Sequence, residues 1–150
     1  MHLRGGVAAI TLALAACGGG SGEGLDANGQ PLPAGGGAPP PVPTLAPTLD
    51  SIQVNVFSVS CAISGCHGGG TVQFGLNLDS GFSAGNLINV ASQQDASLIR
   101  VIPGNPNGSF LIQKLEGTQT VGRRMPDFSP PLPQATIDVI RQWIANGAPP

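Results

Sequence analysis

Residues 61–70 read Cys61-Ala62-Ile63-Ser64-Gly65-Cys66-His67-Gly68-Gly69-Gly70. Two of the three cysteines and one of the two histidines in the chain fall in this decapeptide. Two thiols at this separation can close a small disulfide loop. Thiolates and an imidazole can also ligate zinc, but zinc takes four protein ligands, or three and a water. No second Cys/His cluster follows, and the other histidine is His2, at the far N-terminal end.

A third chemistry uses the same set. Two thiols can add to the vinyl groups of a haem, and a histidine directly behind the second thiol is then held under the iron. The usual attachment has two residues between the cysteines; here there are four. The iron needs a further axial ligand, and Met serves in electron-transfer sites because its soft sulfur favours Fe(II) and raises the potential. Apart from Met1 the chain has one Met, in Arg123-Arg124-Met125-Pro126-Asp127. A lone Met usually fills core gaps, but this one sits in a polar loop stiffened by Pro126. The disulfide and the haem are both compatible with these residues.

The composition narrows the class. With 23 Gly and 15 Pro in 150 residues, about a quarter of the chain resists regular structure. Charged residues make up 9% and the net charge is −2. That excludes the basic surface a nucleic-acid partner requires. There is no Tyr, one Trp and five Phe. A core so poor in aromatics gains from a disulfide, a metal or a large buried cofactor.

The N-terminal end looks like an export signal. A short basic start, Met1-His2-Leu3-Arg4, precedes the apolar run 5–16, which is too short to span a bilayer. The run ends Leu14-Ala15-Ala16-Cys17, which resembles a bacterial lipobox. The resemblance implies removal of residues 1–16 and lipid attachment at Cys17, with the acyl chains as membrane anchor. Gly18 follows the cysteine, which by the same resemblance points to the outer membrane, facing periplasm or exterior. Residues 17–47 are Gly-rich and then Pro-rich, and predict a disordered tether without a core of its own.

Residues 48–150 predict a small, mostly α domain of three to five helices with long loops. Thr48 or Asp50 caps a first helix whose Ile52, Val56 and Phe57 share a face and which runs to the cysteines. Residues 68–82 form a Gly-broken loop, with Leu76 and Leu78 turned inward. Residues 83–90 suit a short helix. Turn chemistry over 102–109, including Asn107-Gly108-Ser109, leads into a helix over Ser109–Glu116 that Gly117 closes. A second breaker-rich loop spans 126–133. Pro133 then opens a last helix, with Ile137, Ile140 and Ile144 at helical spacing and Asn146-Gly147 at its end.

Taken together, residues 50–150 resemble a class I c-type cytochrome domain of an exported bacterial lipoprotein, in a variant with a Cys-x4-Cys-His motif. The likeness rests on the helix before Cys61–Gly69, then Gly75-Leu76-Asn77-Leu78, Val101–Leu115, the Arg124-Met125-Pro126 loop and Ile137–Ala148. It implies a cytochrome c-like fold around one haem c, attached covalently through Cys61 and Cys66, with His67 and Met125 as axial ligands to the iron. It also implies contact between first and last helices. The function implied is single-electron transfer in the cell envelope, between redox partner proteins, by a carrier and not an enzyme. Arg123 and Arg124 would pair with haem propionates or simply be solvated. Trp143 would pack on the haem edge or in an ordinary helix contact. The alternative reading is a haem-free lipoprotein module with a Cys61–Cys66 disulfide, serving in binding or structure.

The lipid anchor has its own test. In a bacterial host, Cys17→Ser is expected to move the protein from the detergent-soluble membrane fraction to the aqueous one, and intact-mass analysis is expected to lose the acyl increment.

Overall fold

The computed structural model describes residues 44–70 and 72–150. The signal segment, most of the linker and Cys17 lie outside the described residues. All regular structure in the described residues is helical, with four α-helices and no strands. The helices are α1 (Leu49–Ile52), α2 (Ser83–Leu87), α3 (Phe110–Glu116) and α4 (Gln134–Ala145). A π-helix, Gln53–Cys61, continues α1, and a 3₁₀ turn covers Gln73–Gly75. This is the small, mostly α fold with long loops that the sequence predicts. None of these helices is long and apolar enough to cross a membrane.

Local chemistry explains the ends. The Thr48 hydroxyl accepts the Ser51 N–H at 3.3 Å, so Thr48 caps α1 and Asp50 lies within its first turn. Gly117 closes α3 in the left-handed region at φ +79°, where its N–H reaches the Gln113 carbonyl. Pro133 precedes α4, where its missing N–H costs nothing. The Ser109 hydroxyl does not cap α3. It accepts the Ile102 N–H at 2.9 Å and donates to the Asn105 carbonyl at 2.8 Å, which ties the 102–109 turn shut.

The π-winding of the second segment has a packing reason. Ile52, Val56 and Phe57 are all buried. In an α-helix of 3.6 residues per turn, five residues carry Phe57 off the face of Ile52, so the shared face expected of an ordinary helix here requires another winding. Winding with i→i+5 bonds returns Phe57 to it, and the Ala62 N–H completes the pattern on the Phe57 carbonyl at 2.7 Å. Val54 and Val59 are left in solvent.

One apolar cluster joins Ile52, Val56, Phe57, Leu78, Leu87, Val101, Ile112, Leu115, Ile137, Ile140, Trp143 and Ile144. Leu45, in the stretch the sequence assigns to the linker, packs against it. The most extensive pairing of separate helices is α3 with α4, and the first and last helical segments meet in the same apolar cluster. Arg141 of α4 reinforces that pair through Glu116 at 2.9 Å and through the Asn107 side chain. Gln53 fastens the π-helix to the loops: its amide donates to the Leu78 carbonyl at 2.9 Å and accepts from the Ser83 hydroxyl.

Trp143→Ala is expected to destabilise the domain by about 3–5 kcal/mol, because it empties a fully buried site. Phe128→Ala, at a side chain 92% exposed, is expected to change stability by no more than about 0.5 kcal/mol. Denaturant unfolding followed by helical circular dichroism compares the two.

Candidate functional site

The decapeptide 61–70 begins where the π-helix ends. Cys61 is the last residue of that helix, and Gly65 (φ +81°) turns the following loop. Glycine adopts this backbone without penalty, so the residues between the two cysteines loop outward. Cys61 and Cys66 are both partly buried, and both carry free thiols. Burial, helped by the neighbouring Cys66, pushes the Cys61 thiol up to about 11.

His67 is held at three points. Its N–H donates to the Cys61 carbonyl at 3.1 Å, and its carbonyl accepts the Leu78 N–H at 2.7 Å. Its ring Nδ1 lies 3.2 Å from the Leu76 carbonyl. A carbonyl only accepts, so Nδ1 carries the proton and Nε2 keeps its lone pair. A second contact of this kind is how metal-binding histidines are oriented. Burial lowers the His67 pKa against the pull of the Leu76 carbonyl, and the charges of Arg100 and Lys114 add to the lowering. The neutral ring is thus the favoured form. Gly68 makes this turn possible: a Cβ there would overlap the Ala62 carbonyl and the Asp79 carboxylate.

His67 borders an apolar cavity of about 80 Å³, among Phe57, Leu76, Leu87, Leu111 and Leu115. Met125 borders the same cavity, and so does Cys61. A second cavity, of about 350 Å³, shares Cys61, His67, Phe74 and Met125 and adds Cys66, with Pro126 and Phe128. The two cysteines, the histidine and the methionine named from the sequence therefore all line the second cavity, and all but Cys66 line the first as well. Met125 is brought there by α3: its N–H donates to the Lys114 carbonyl at 2.8 Å. The Lys114 ammonium donates to the Val121 and Arg123 carbonyls at 2.8 and 3.2 Å, which clasps the methionine loop from the cavity side.

Other sequence-named residues are elsewhere. Arg123 is paired with Asp127 at 3.3 Å and stacked 5.2 Å over Phe128. Arg124 donates to the Leu115 carbonyl at 3.0 Å. Neither lines the cavities. Trp143 is fully buried in the helix core, with its indole N–H on the Pro149 carbonyl at 2.9 Å.

The cavity's charges are Arg100 and Lys114. Both are buried, and their hydrogen bonds go to neutral carbonyls. The sequence carries a signal for each: Lys114 interrupts the apolar face of α3, and Arg100 interrupts the run Leu98-Ile99-Arg100-Val101-Ile102. A cation in such a position serves a buried acceptor. The Gln94 Oε1, also in this cavity, is buried with no hydrogen-bond donor.

Among the described residues no group of three or more His, Cys, Asp and Glu gathers as a metal cage. The donor set suits a haem: one imidazole lone pair, one thioether and two thiols around an apolar space. The two cations suit a ligand with an acidic edge, whereas the orphaned amide oxygen calls for a hydrogen-bond donor.

Gly68→Ala is expected to destabilise the domain by about 1–3 kcal/mol through overpacking and to disturb His67. Gly85→Ala, in α2 with open space around it, is expected to be neutral or stabilising by up to about 1 kcal/mol. Thermal unfolding of the pair, with the His67 ring resonances, tests the turn. No protein-family model, no curated protein and no solved structure matches this chain.

Proposed function

We propose that the domain is a monohaem c-type cytochrome that carries single electrons in the bacterial cell envelope. In this reading the haem is attached through Cys61 and Cys66, and its iron is held between His67 and Met125. The observation that carries the reading is that His67 and Met125, far apart in sequence, border one apolar cavity together with Cys61. When bound, the haem supplies reversible one-electron exchange between ferrous and ferric iron.

The chain's own residues supply the rest. His67 presents Nε2 while the Leu76 carbonyl fixes its tautomer. Lys114 holds the methionine loop at the cavity wall. Phe57, Leu76, Leu87, Leu111 and Leu115 exclude water, which favours the less charged, reduced state. Lys114 and Arg100 place positive charge at the cavity, the role the sequence offered to Arg123 and Arg124. It suits propionates. His67 and Met125 would together hold the iron and leave it no open position for a substrate, which suits a carrier. The lipidated Cys17 would tether it to the outer membrane and leave it to reach its redox partners.

The test is export with a cytochrome c maturation system, then spectroscopy and denaturing mass spectrometry. The expected result is the sharp reduced α-band of a thioether-linked haem, with the haem mass kept after denaturation. Met125→Ala is expected to keep the haem, lose the weak far-red band of methionine–ferric ligation and gain carbon monoxide binding in the reduced form. A colourless protein lacking the thiol hydrogens of Cys61 and Cys66 would overturn the reading in favour of a disulfide-bridged binding or structural module.

A further inference from the structure

Arg100 is only 6% exposed, yet no salt bridge among the described residues includes it. Its guanidinium is spent on backbone. One Nη1–H donates to the Asn86 carbonyl at 2.8 Å and, with longer reach, Nη1 meets the Gly75 carbonyl at 3.4 Å. Nη2 donates to the Phe74 carbonyl at 2.8 Å. A buried charge kept for three neutral acceptors is costly unless the acceptors must be held.

The acceptors belong to an unusual turn. Phe74 and Gly75 are successive left-handed residues, at φ +51° and +60°. Glycine tolerates this, but Phe74 does not by preference. The half-exposed Phe74 side chain gives the turn little packing of its own. What the turn delivers is the next residue, Leu76, whose carbonyl accepts the His67 ring N–H at 3.2 Å. Arg100 therefore grips the two peptides immediately before the one that orients His67. It also bridges this turn to the end of α2 at Asn86, and its own N–H and carbonyl are bonded to Val90 and to Leu111 at the start of α3. The grip is thus anchored to the core.

We propose that Arg100 is the positioning residue for His67: by forking onto the Phe74 and Gly75 carbonyls it fixes the Leu76 carbonyl as acceptor of the Nδ1 proton, and so the tautomer and orientation of the ring. The proposal rests on His67 serving as an axial ligand through Nε2. A planar fork with several fixed donors suits this role, and a lysine ammonium cannot span the same acceptors in one geometry. Positive charge alone is therefore not enough.

The experiment uses the exported, haem-loaded protein in its reduced, diamagnetic state, labelled with ¹⁵N. Solvent exchange of the His67 Nδ1 proton and the midpoint potential are measured for wild type, Arg100→Lys and Arg100→Met. Helical circular dichroism checks folding. Nδ1–H exchange about tenfold faster in both variants, as for loss of one supporting hydrogen bond, is the expected result. The weaker-held imidazole donates less to ferric iron, so the midpoint potential is expected to rise in Arg100→Lys, which keeps the charge. Unchanged exchange in both variants overturns the proposal. So does full protection in Arg100→Lys with fast exchange in Arg100→Met, which would reduce Arg100 to a charge. If Arg100→Met does not fold, Arg100→Lys alone decides: faster exchange supports the grip and wild-type exchange overturns it. If the wild-type protein carries no haem, the proposed function fails on its spectrum, while the same exchange measurement on that protein still reports whether Arg100 holds the Leu76 carbonyl against His67.

Discussion

The hydrogen bond between the His67 ring and the Leu76 carbonyl organises the site. It settles which ring nitrogen keeps a lone pair. Its donor and acceptor are each fixed by further backbone contacts: His67 by Cys61 and Leu78, and the turn before Leu76 by Arg100. The Gly68 backbone must pass against Ala62 and Asp79 for this to close. The site is therefore a property of backbone placement, with side chains added to it.

The second constraint is apolar. Its walls are shared with the helix core: Val56 and Phe57 from the π-helix, Leu87 from α2, Leu115 from α3 and Ile140 from α4 all face it. Apolar surface of this kind contributes about 25 cal/mol per Å² when it is covered, in a chain with one tryptophan and no tyrosine. The cations at its edge are tolerated because carbonyls satisfy their donors.

Much of this was legible in the residues. Thr48, Gly117 and Pro133 announce helix ends because capping and proline chemistry are local. The α4 stripe of Ile137, Ile140 and Ile144 needed only the helical period. The gathering of Cys61, Cys66, His67 and Met125 was anticipated from their chemistry. The destinations of the charges were not. Arg123 and Arg124 found partners in Asp127, Phe128 and the Leu115 carbonyl, whereas Lys114 was turned onto the Val121 and Arg123 carbonyls and Arg100 was drawn inward by acceptors up to 26 residues away in sequence. Such pairings exist only once the loops are placed. The π-winding was hidden for the same reason, since Phe57 needs it only when there is a core to reach. Trp143, with a neighbouring carbonyl for its N–H, had no need of the cavity.

The bonds around His67 also order events in time. They join residues six, nine and eleven positions apart, and the Met125 bond to Lys114 spans eleven. Loops of about ten residues close in roughly 10–100 ns, with little entropy to lose. The Cys61–Leu78 knot and the Lys114–Met125 knot are thus separate local units, joined by Arg100 and the core. Any process that delivers the chain N-terminus first completes the thiol and imidazole knot before Lys114 and Met125 have arrived.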